Sequence, residues 1–355
     1  MGIDNISPTV IIGTGLIGAS IGCALTEAGV VVHLRDRVHS HAVVAAGRGA
    51  GRLDQPDPNE VRLVIVAVPP AAIAQVVASA LDRYPHAAVT DVGSVKGRIA
   101  SDLEGLRTNL ARYIGGHPMA GSQHAGPLTA VGEMFVDRTW VITPRSESSG
   151  WALERVRTLV ATCQARPLEM DAAQHDRAVA EVSHFPQLVS SLTAARLSEV
   201  PADDLRLAGQ GVRDVTRIAA SDVGLWRQIV AANVSPIREQ LVGLRADLDR
   251  LIDALDDPRV VGELMSRGNA GVRALPSKRG KSLDEVVAVV VEIPDAPGAL
   301  AQLFSDITTN GINIEDLSLE HDPERQAGYL SIEVARERSD GLRQMIREHG
   351  WGLRS

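Results

Sequence analysis

A chain of 355 residues, 45% apolar and 23% charged, is long enough for two or three globular domains and too apolar for a disordered or fibrous protein. Its 44 acidic and 36 basic side chains leave a formal charge of -8, and 4 Trp, 3 Tyr and 3 Phe offer few rings for stacking on bases, so no nucleic acid partner is expected. The longest near-apolar run, Leu63 to Ala74, has 12 residues and two prolines, short of the ~20 needed to span a bilayer, so no membrane is expected either.

Short β-branched runs come first: TVII (9–12), VVHL (31–34), LVIVAV (63–68) and AVTDV (88–92), with helical stretches between them. That rhythm predicts a parallel sheet with crossover helices, with WVITP (140–144) as a late strand. An α/β domain is expected over 1–150. After the Ser-rich turn SESSG (146–150), Leu and Val fall three and four apart in VRTLVATC, FPQLVSSLTAARL and PIREQLVGLRADLDRLIDAL, which predicts an all-α domain over 151–275. The helix from Pro236 to about Leu255 carries Leu241, Leu244, Leu248, Leu251 and Ile252 as one apolar stripe, suited to a homodimer interface. PSKRGKSL (276–283) is basic and lacks periodicity, which predicts a linker. Residues 284–355 alternate the strand run VVAVVVEI, a helix PGALAQLFSDITTNG, strands INIEDLSLEH and GYLSIEVA, and a helix DGLRQMIREHG. This is the pattern of an α+β module of βαββαβ type.

Gly13-Thr14-Gly15-Leu16-Ile17-Gly18 follows the first predicted strand and opens a predicted helix, and Asp36 lies 18 residues beyond Gly18 at the end of the second strand. Gly13 permits a tight turn, Gly15 lets backbone N-H groups approach a pyrophosphate, Gly18 brings the helix against the sheet, and the helix N-terminus favours negative charge. The Asp36 carboxylate is placed to bond adenosine ribose hydroxyls and to repel a 2′-phosphate. Together these features predict a Rossmann-type dinucleotide site with NAD as cofactor, although Arg35 and Arg37 flank the acid and suit a 2′-phosphate. AVPP (67–70) closes a strand where the cofactor ribose would pass, and its prolines equally mark a helix start.

Three further segments, DVGSVKG (91–97), GGHPMAGS (115–122) and the pair HDRAVAEVSHFPQL (175–188) with GVRDVTRIAASDVGLW (211–226), go beyond a generic nucleotide fold. With the fingerprint, they resemble the prephenate dehydrogenase family, which includes arogenate and cyclohexadienyl dehydrogenases, over about residues 8–275. PDAPGAL (294–300) and GINI (311–314) resemble a regulatory ACT domain. The resemblance implies NAD-dependent oxidative decarboxylation of prephenate to 4-hydroxyphenylpyruvate in tyrosine biosynthesis, by a homodimer; the sparse, unpaired Cys23 and Cys163 separately suit a reducing, cytoplasmic setting. It makes His117 the acceptor of the 4-hydroxyl proton, which requires a neutral imidazole. Ser94 is the serine contacting that hydroxyl and the histidine, Lys96 supports the loop, Arg217 grips a substrate carboxylate, and His184 and Trp226 line the pocket. In the tail, Asp295, Gly298, Asn313 and Ile314 become the candidate pocket for an amino-acid effector such as tyrosine. One departure stands out: many relatives carry a second histidine three residues after the first, where this chain has Gln187. A glutamine carbonyl accepts from an ammonium group, which brings arogenate forward as the alternative substrate.

Elsewhere the residues read blandly. His175 and His184 are nine apart, about 900° on a regular helix, so they are expected on opposite sides. Asp171, Asp176, Asp203 and Asp204 are expected to cap or solvate helices. Cys23 and Cys163 lie 140 positions apart outside any C-x-x-C pair, and neither disulfide nor metal is expected. A nucleotide-sensing regulator would need no proton acceptor. A β-hydroxyacid type dehydrogenase would need a lysine that the stretch 151–275 lacks.

Overall fold

The computed structural model describes residues 2–106, 109–121, 126–275, 286–294, 296–322 and 327–354. In chain order the first elements are β1 (Thr9–Ile12), α1 (Leu16–Glu27), β2 (Val32–Arg35), α2 (His39–Gly47), β3 (Leu63–Val66), α3 (Ile73–Arg83) and β4 (Ala88–Asp91). They are followed by α4 (Gly97–Gly105), β5 (Tyr113–Pro118), β6 (Thr139–Thr143), α5 (Gly150–Thr162) and β7 (Arg166–Glu169). Among the described residues, these seven strands make one sheet in the order β2-β1-β3-β4-β5-β6-β7. The first five are parallel. β6 runs antiparallel to β5 and parallel to β7, so the parallel expectation fails at the far edge.

Both faces of the sheet are covered. Ile11, Ile65 and Ile114 pack with Ile21 and Leu25 of α1 and Leu159 of α5, while Val10, Val64 and Val89 pack with Val77 and Leu81 of α3 and Leu103 of α4. Burial on two sides is why these strands read as continuous apolar runs. Since the chain winds from β1 to β2 on one side and places β3 on the other, the crevice above their carboxyl ends is a topological switch point.

The sheet continues to residue 169, past the expected limit at 150. VRTLVATC is helical as its spacing predicts, but Ala152, Val156, Leu159 and Val160 of α5 face the sheet; periodicity fixes a helix and not the layer it joins. β7 (RPLE) is exposed along its length and has no apolar alternation. In β5 (YIGGHP), two glycines and a proline disguise a central strand.

Helical structure then takes over in α6 (Ala172–Val179), a π-helical turn Ala180–His184, α7 (Phe185–Leu197), α8 (Gln210–Thr216), a 3-10 turn Arg217–Ala220, α9 (Val223–Ala232) and α10 (Val234–Asp253). Compact units form over Met1–Asp247 and Leu248–Ser355. The second contains α11 (Pro258–Ala274), β8 (Val286–Pro294), α12 (Ala299–Thr309), β9 (Asp316–Asp322), β10 (Ala327–Ala335), α13 (Ser339–Glu348) and β11 (Gly352–Arg354). Its strands pair antiparallel in the order β11-β8-β10-β9, with βαββαβ connectivity. Val289, Val291, Leu330 and Ile332 pack against Leu303 and Ile307 of α12 and Leu342 and Ile346 of α13. Asn313 and Ile314 precede β9 rather than lie in it. The expected linker (276–283) and Asp295 fall outside the described residues.

Candidate active site

The Gly-rich turn sits at the switch point. Gly13 has φ +97°, and a Cβ there would come 2.3 Å from the Ala67 carbonyl oxygen, at the end of β3. At Gly18 a Cβ would meet the Gly13 carbonyl oxygen at 2.0 Å, so only glycine lets α1 close on the turn. Gly15, the N-cap of α1, has open space where its Cβ would be. The unpaired N-H groups that start the helix therefore face a cradle that fits a pyrophosphate. Asp36 fixes this turn: one carboxylate oxygen accepts from Thr14 N at 2.7 Å and Thr14 Oγ1 at 2.9 Å, and the other from Val38 N at 2.8 Å. Partial burial works to raise its pKa, yet the N-H groups of Thr14 and Val38 hold it below the ordinary carboxylate value, so it remains an anion. Arg37 is exposed. Arg35 has buried Nε and Nη2 atoms without a hydrogen-bond partner among the described residues. Pro70 opens a 3-10 turn leading into α3, as its helix-start reading predicts.

The turn after β4 carries Ser94 and Lys96. Lys96 is 2% exposed, and its Nζ bonds Asp91 Oδ1 at 2.5 Å and the Gly116 carbonyl at 2.6 Å. Tyr113 OH donates to the other Asp91 oxygen at 2.7 Å. Burial lowers the Lys96 pKa against the pull of Asp91, and burial beside Asp91 raises that of Tyr113. By holding Gly116, the lysine fixes the backbone one residue before His117, a firmer role than loop support. Ser94 is half-buried, and no hydrogen bond joins it to His117 among the described residues.

His117 stands in β5, opposite Val141 of β6. Its Nδ1 is 2.9 Å from Nε2 of His175, whose own Nδ1 is 2.8 Å from Asp176 Oδ1. Asp176 also accepts from Lys96 N and Gly97 N, both at 2.8 Å. Desolvation, then the neighbouring His175, Lys96 and His184, push His117 well below the usual histidine range. It is therefore neutral at ordinary pH. His184 is 1% exposed and is pushed down to about 4, chiefly by burial. The side-chain nitrogen of Asn233 reaches the Asp176 carbonyl at 2.8 Å and His184 Nδ1 at 3.1 Å. A carbonyl accepts only from a donor, so Asn233 donates to both, and neutral His184 carries its proton on Nε2. Trp226 meets the His184 ring edge-on at 6.0 Å between centroids.

Two readings are corrected here. His175 and His184 do not point apart, because the intervening residues Ala180–His184 are π-helical; wider turns there change the phase that a regular 3.6-residue repeat predicts. Asp176 is buried and ligated by backbone N-H groups rather than solvated, whereas Asp171 caps α6 as expected, accepting from Gln174 N at 2.7 Å. His175, Asp176 and Asn233 had no signal in spacing; the adjacent His-Asp pair one turn after a cap was the available hint.

Gln187 and Trp226 line a cavity of 910 Å³ with Ser191, Ala219, Ser221 and Gln228, within the range of ligand pockets. His117 and Ser94 are not in its wall; Trp226 connects it to His184. Gln187 is 6% exposed and donates from Nε2 to the Ile218 carbonyl at 2.8 Å, while Ser221 Oγ lies 3.5 Å from its Oε1. Arg217 heads the 3-10 turn that contains Ile218 and is itself exposed.

Family models divide the chain near residue 170, where the sheet ends and helices take over. A family model for the prephenate dehydrogenase nucleotide-binding domain matches residues 21–169, and one for the prephenate dehydrogenase dimerization domain matches 171–265. A probable prephenate dehydrogenase of Streptomyces niveus is 34% identical, covering 98% of this chain and 99% of that protein. The prephenate dehydrogenase of Bacillus subtilis is 26% identical over 90% of each. Among solved structures, Synechocystis arogenate dehydrogenase has a TM-score of 0.64 at 26% identity, covering 75% of this chain and 99% of that one. The A. aeolicus prephenate dehydrogenase in complex with hydroxyphenyl propionate and NAD+ has a TM-score of 0.65 at 25% identity, covering 74% and 96%. With family models matching residues 21–169 and 171–265 and a relative 34% identical over nearly its full length, this chain belongs to the prephenate dehydrogenase family.

Proposed function

We propose that the chain catalyses NAD-dependent oxidative decarboxylation of prephenate to 4-hydroxyphenylpyruvate, with His117 as proton acceptor. The observation that carries this reading is a neutral imidazole, anchored at Nδ1, in a family that performs this chemistry. Gly13, Thr14, Gly15, Leu16, Ile17, Gly18, Asp36 and Arg37 would hold NAD, which when bound accepts the hydride from the substrate carbon bearing the hydroxyl. His117 takes the hydroxyl proton as that hydride leaves. The ring carboxylate departs as carbon dioxide, its electron pair aromatises the ring, and the oxygen recovers its proton as a phenol. Ser94 would share the hydroxyl, Arg217 would pair with a carboxylate as a planar fork, and His184 would donate from Nε2, with Trp226 holding its ring.

Arogenate is the second reading, favoured by Gln187. Its amide nitrogen is engaged by Ile218, which leaves Oε1 as an acceptor for the ammonium that arogenate carries in place of the keto group. The tail supports an ACT-type effector module through its βαββαβ connectivity and strand order, with Asp295, Gly298, Asn313 and Ile314 as candidate effector contacts and tyrosine as the candidate ligand. Exposed apolar residues on α10 and α11, including Ile252 and Met265, support a homodimer. No described helix is long and apolar enough to cross a membrane; a cytoplasmic location remains part of this proposal. Purified chain mixed with NAD and either substrate, followed by NADH absorbance, tests the reading. Turnover of prephenate is expected, and turnover of neither substrate would overturn it.

A further inference from the structure

The histidine expected to face away from the site is the one that touches the base. We propose that His175, held by Asp176, is a positioning residue that fixes the tautomer of His117 and so leaves Nε2 of His117 bare to accept the substrate proton. The inference rests on the proposed role of His117 but is carried by a separate chain of contacts. Asp176 accepts two backbone N-H bonds, from Lys96 and Gly97, one on each carboxylate oxygen, which fix its carboxylate in place. A carboxylate is acceptor-only, so the His175 Nδ1 facing it at 2.8 Å carries a proton. With its one proton on Nδ1, His175 presents a bare Nε2, and at 2.9 Å this receives the Nδ1 proton of His117. Two bare nitrogens at that distance would repel, and His117 protonated at both positions could accept nothing.

Charged and titratable groups around the pair agree with this assignment. His117 is faced by His175 from α6, His184 from the π-helical turn and Lys96 from the turn before α4, and all three disfavour a second proton on it. His175 itself is fully buried between His117 and Asp176. Such a relay does two things. It keeps the imidazole from rotating or changing tautomer between turnovers, and, with Nδ1 turned to His175, it leaves Nε2 on the side of the ring away from α6. An imidazolium at position 175 would act in the opposite sense, donating to His117 Nδ1 and leaving the proton on Nε2.

The test uses the full-length chain labelled with ¹⁵N-histidine, with His117 assigned by the signal lost in His117→Asn. Two-bond ¹H-¹⁵N couplings read the tautomer without substrate or cofactor. In the wild type, His117 is expected to carry its proton on Nδ1. His175→Ala is expected to let the Nε2-H form appear and to lower kcat roughly 10-fold or more, a part of the 10²- to 10⁴-fold a positioned base contributes, while KM and NADH binding stay within threefold. His175→Gln, whose side-chain oxygen can occupy the place of Nε2, should restore the wild-type tautomer and most of kcat. A wild-type His117 protonated on Nε2, or a folded His175→Ala with wild-type kcat, overturns the proposal. If His175→Ala does not fold, the wild-type spectrum and His175→Gln still decide it. An enzyme inactive on both substrates but with the expected tautomer would instead count against the proposed reaction.

Discussion

The proposed base, His117, can accept a proton only while neutral, and its surroundings widen the pH range in which it is. Burial and three neighbouring cationic or titratable groups depress its pKa well below 6.5, so protonation, and with it loss of activity, is displaced toward acid. Followed from alkaline to acid pH, kcat should stay level through 6.5 and fall only below it; an acid limb with its midpoint at or above 6.5 would contradict the site described. Replacing the base tests the same residue directly. His117→Asn should lower kcat by on the order of 10²-fold or more and leave NADH binding, read by fluorescence, near that of the wild type, because the Gly-rich turn and Asp36 lie on other strands. Near-normal turnover would remove His117 from the role. His117 was legible in the sequence because GGHP is a compact motif in a recognised order. His175 and Asp176 were not, since a regular helical repeat places them wrongly and only the π-helical turn at Ala180–His184 brings both histidines to one side.

At the level of elements, β1, the glycine turn and α1 act as one part. Gly18→Ala would put a methyl group 2.0 Å from the Gly13 carbonyl oxygen, which α1 relieves only by lifting from the turn. Overpacking of this kind costs about 1–3 kcal/mol. A lower Tm is therefore expected, together with NADH binding weakened roughly 10-fold, since ~1.4 kcal/mol is a factor of ten. Unchanged binding would mean that the turn is not the cofactor cradle. Among the helices, α10 carries Ile252 at 70% exposure, a large apolar side chain on the stripe expected to meet a second copy. Sedimentation should find a dimer at micromolar concentration and a shift to monomer for Ile252→Glu; a wild-type monomer would assign that stripe elsewhere. Element existence was readable wherever apolar patterning is strong, as in β1, β3, β8 and α10. It was not readable in β5, where glycines serve close strand packing: a Cβ at Gly116 would come 2.7 Å from the Asp91 carbonyl oxygen. Nor did helical spacing reveal that α5 belongs to the sheet, because a helix packed on strands and one packed on helices share one period.

For the whole molecule, the tail is set apart from the part that carries the proposed cofactor turn and the proposed base. Residues from β8 onward form a βαββαβ module with its own apolar core, for which we proposed a sensing role. Gly298 caps the N-terminus of α12 with φ +91° and has open space around its Cβ position. The demand for glycine there is thus conformational rather than a matter of close approach. A β-branched residue at this φ costs on the order of 1–3 kcal/mol and would displace the helix start that offers N-H donors to an effector carboxylate. If tyrosine acts there, coupling of roughly 1–3 kcal/mol changes substrate affinity about 5- to 150-fold. Inhibition alone does not establish this, because tyrosine resembles the reaction product and competes at the active site as well. Truncation separates the two routes. A chain ending at Ser282 should keep kcat and lose the greater part of its response to tyrosine, and Gly298→Val in the full chain should lose that part alone. Inhibition that survives truncation with the same concentration dependence would place the tyrosine site with His117 and leave the module without a sensing role.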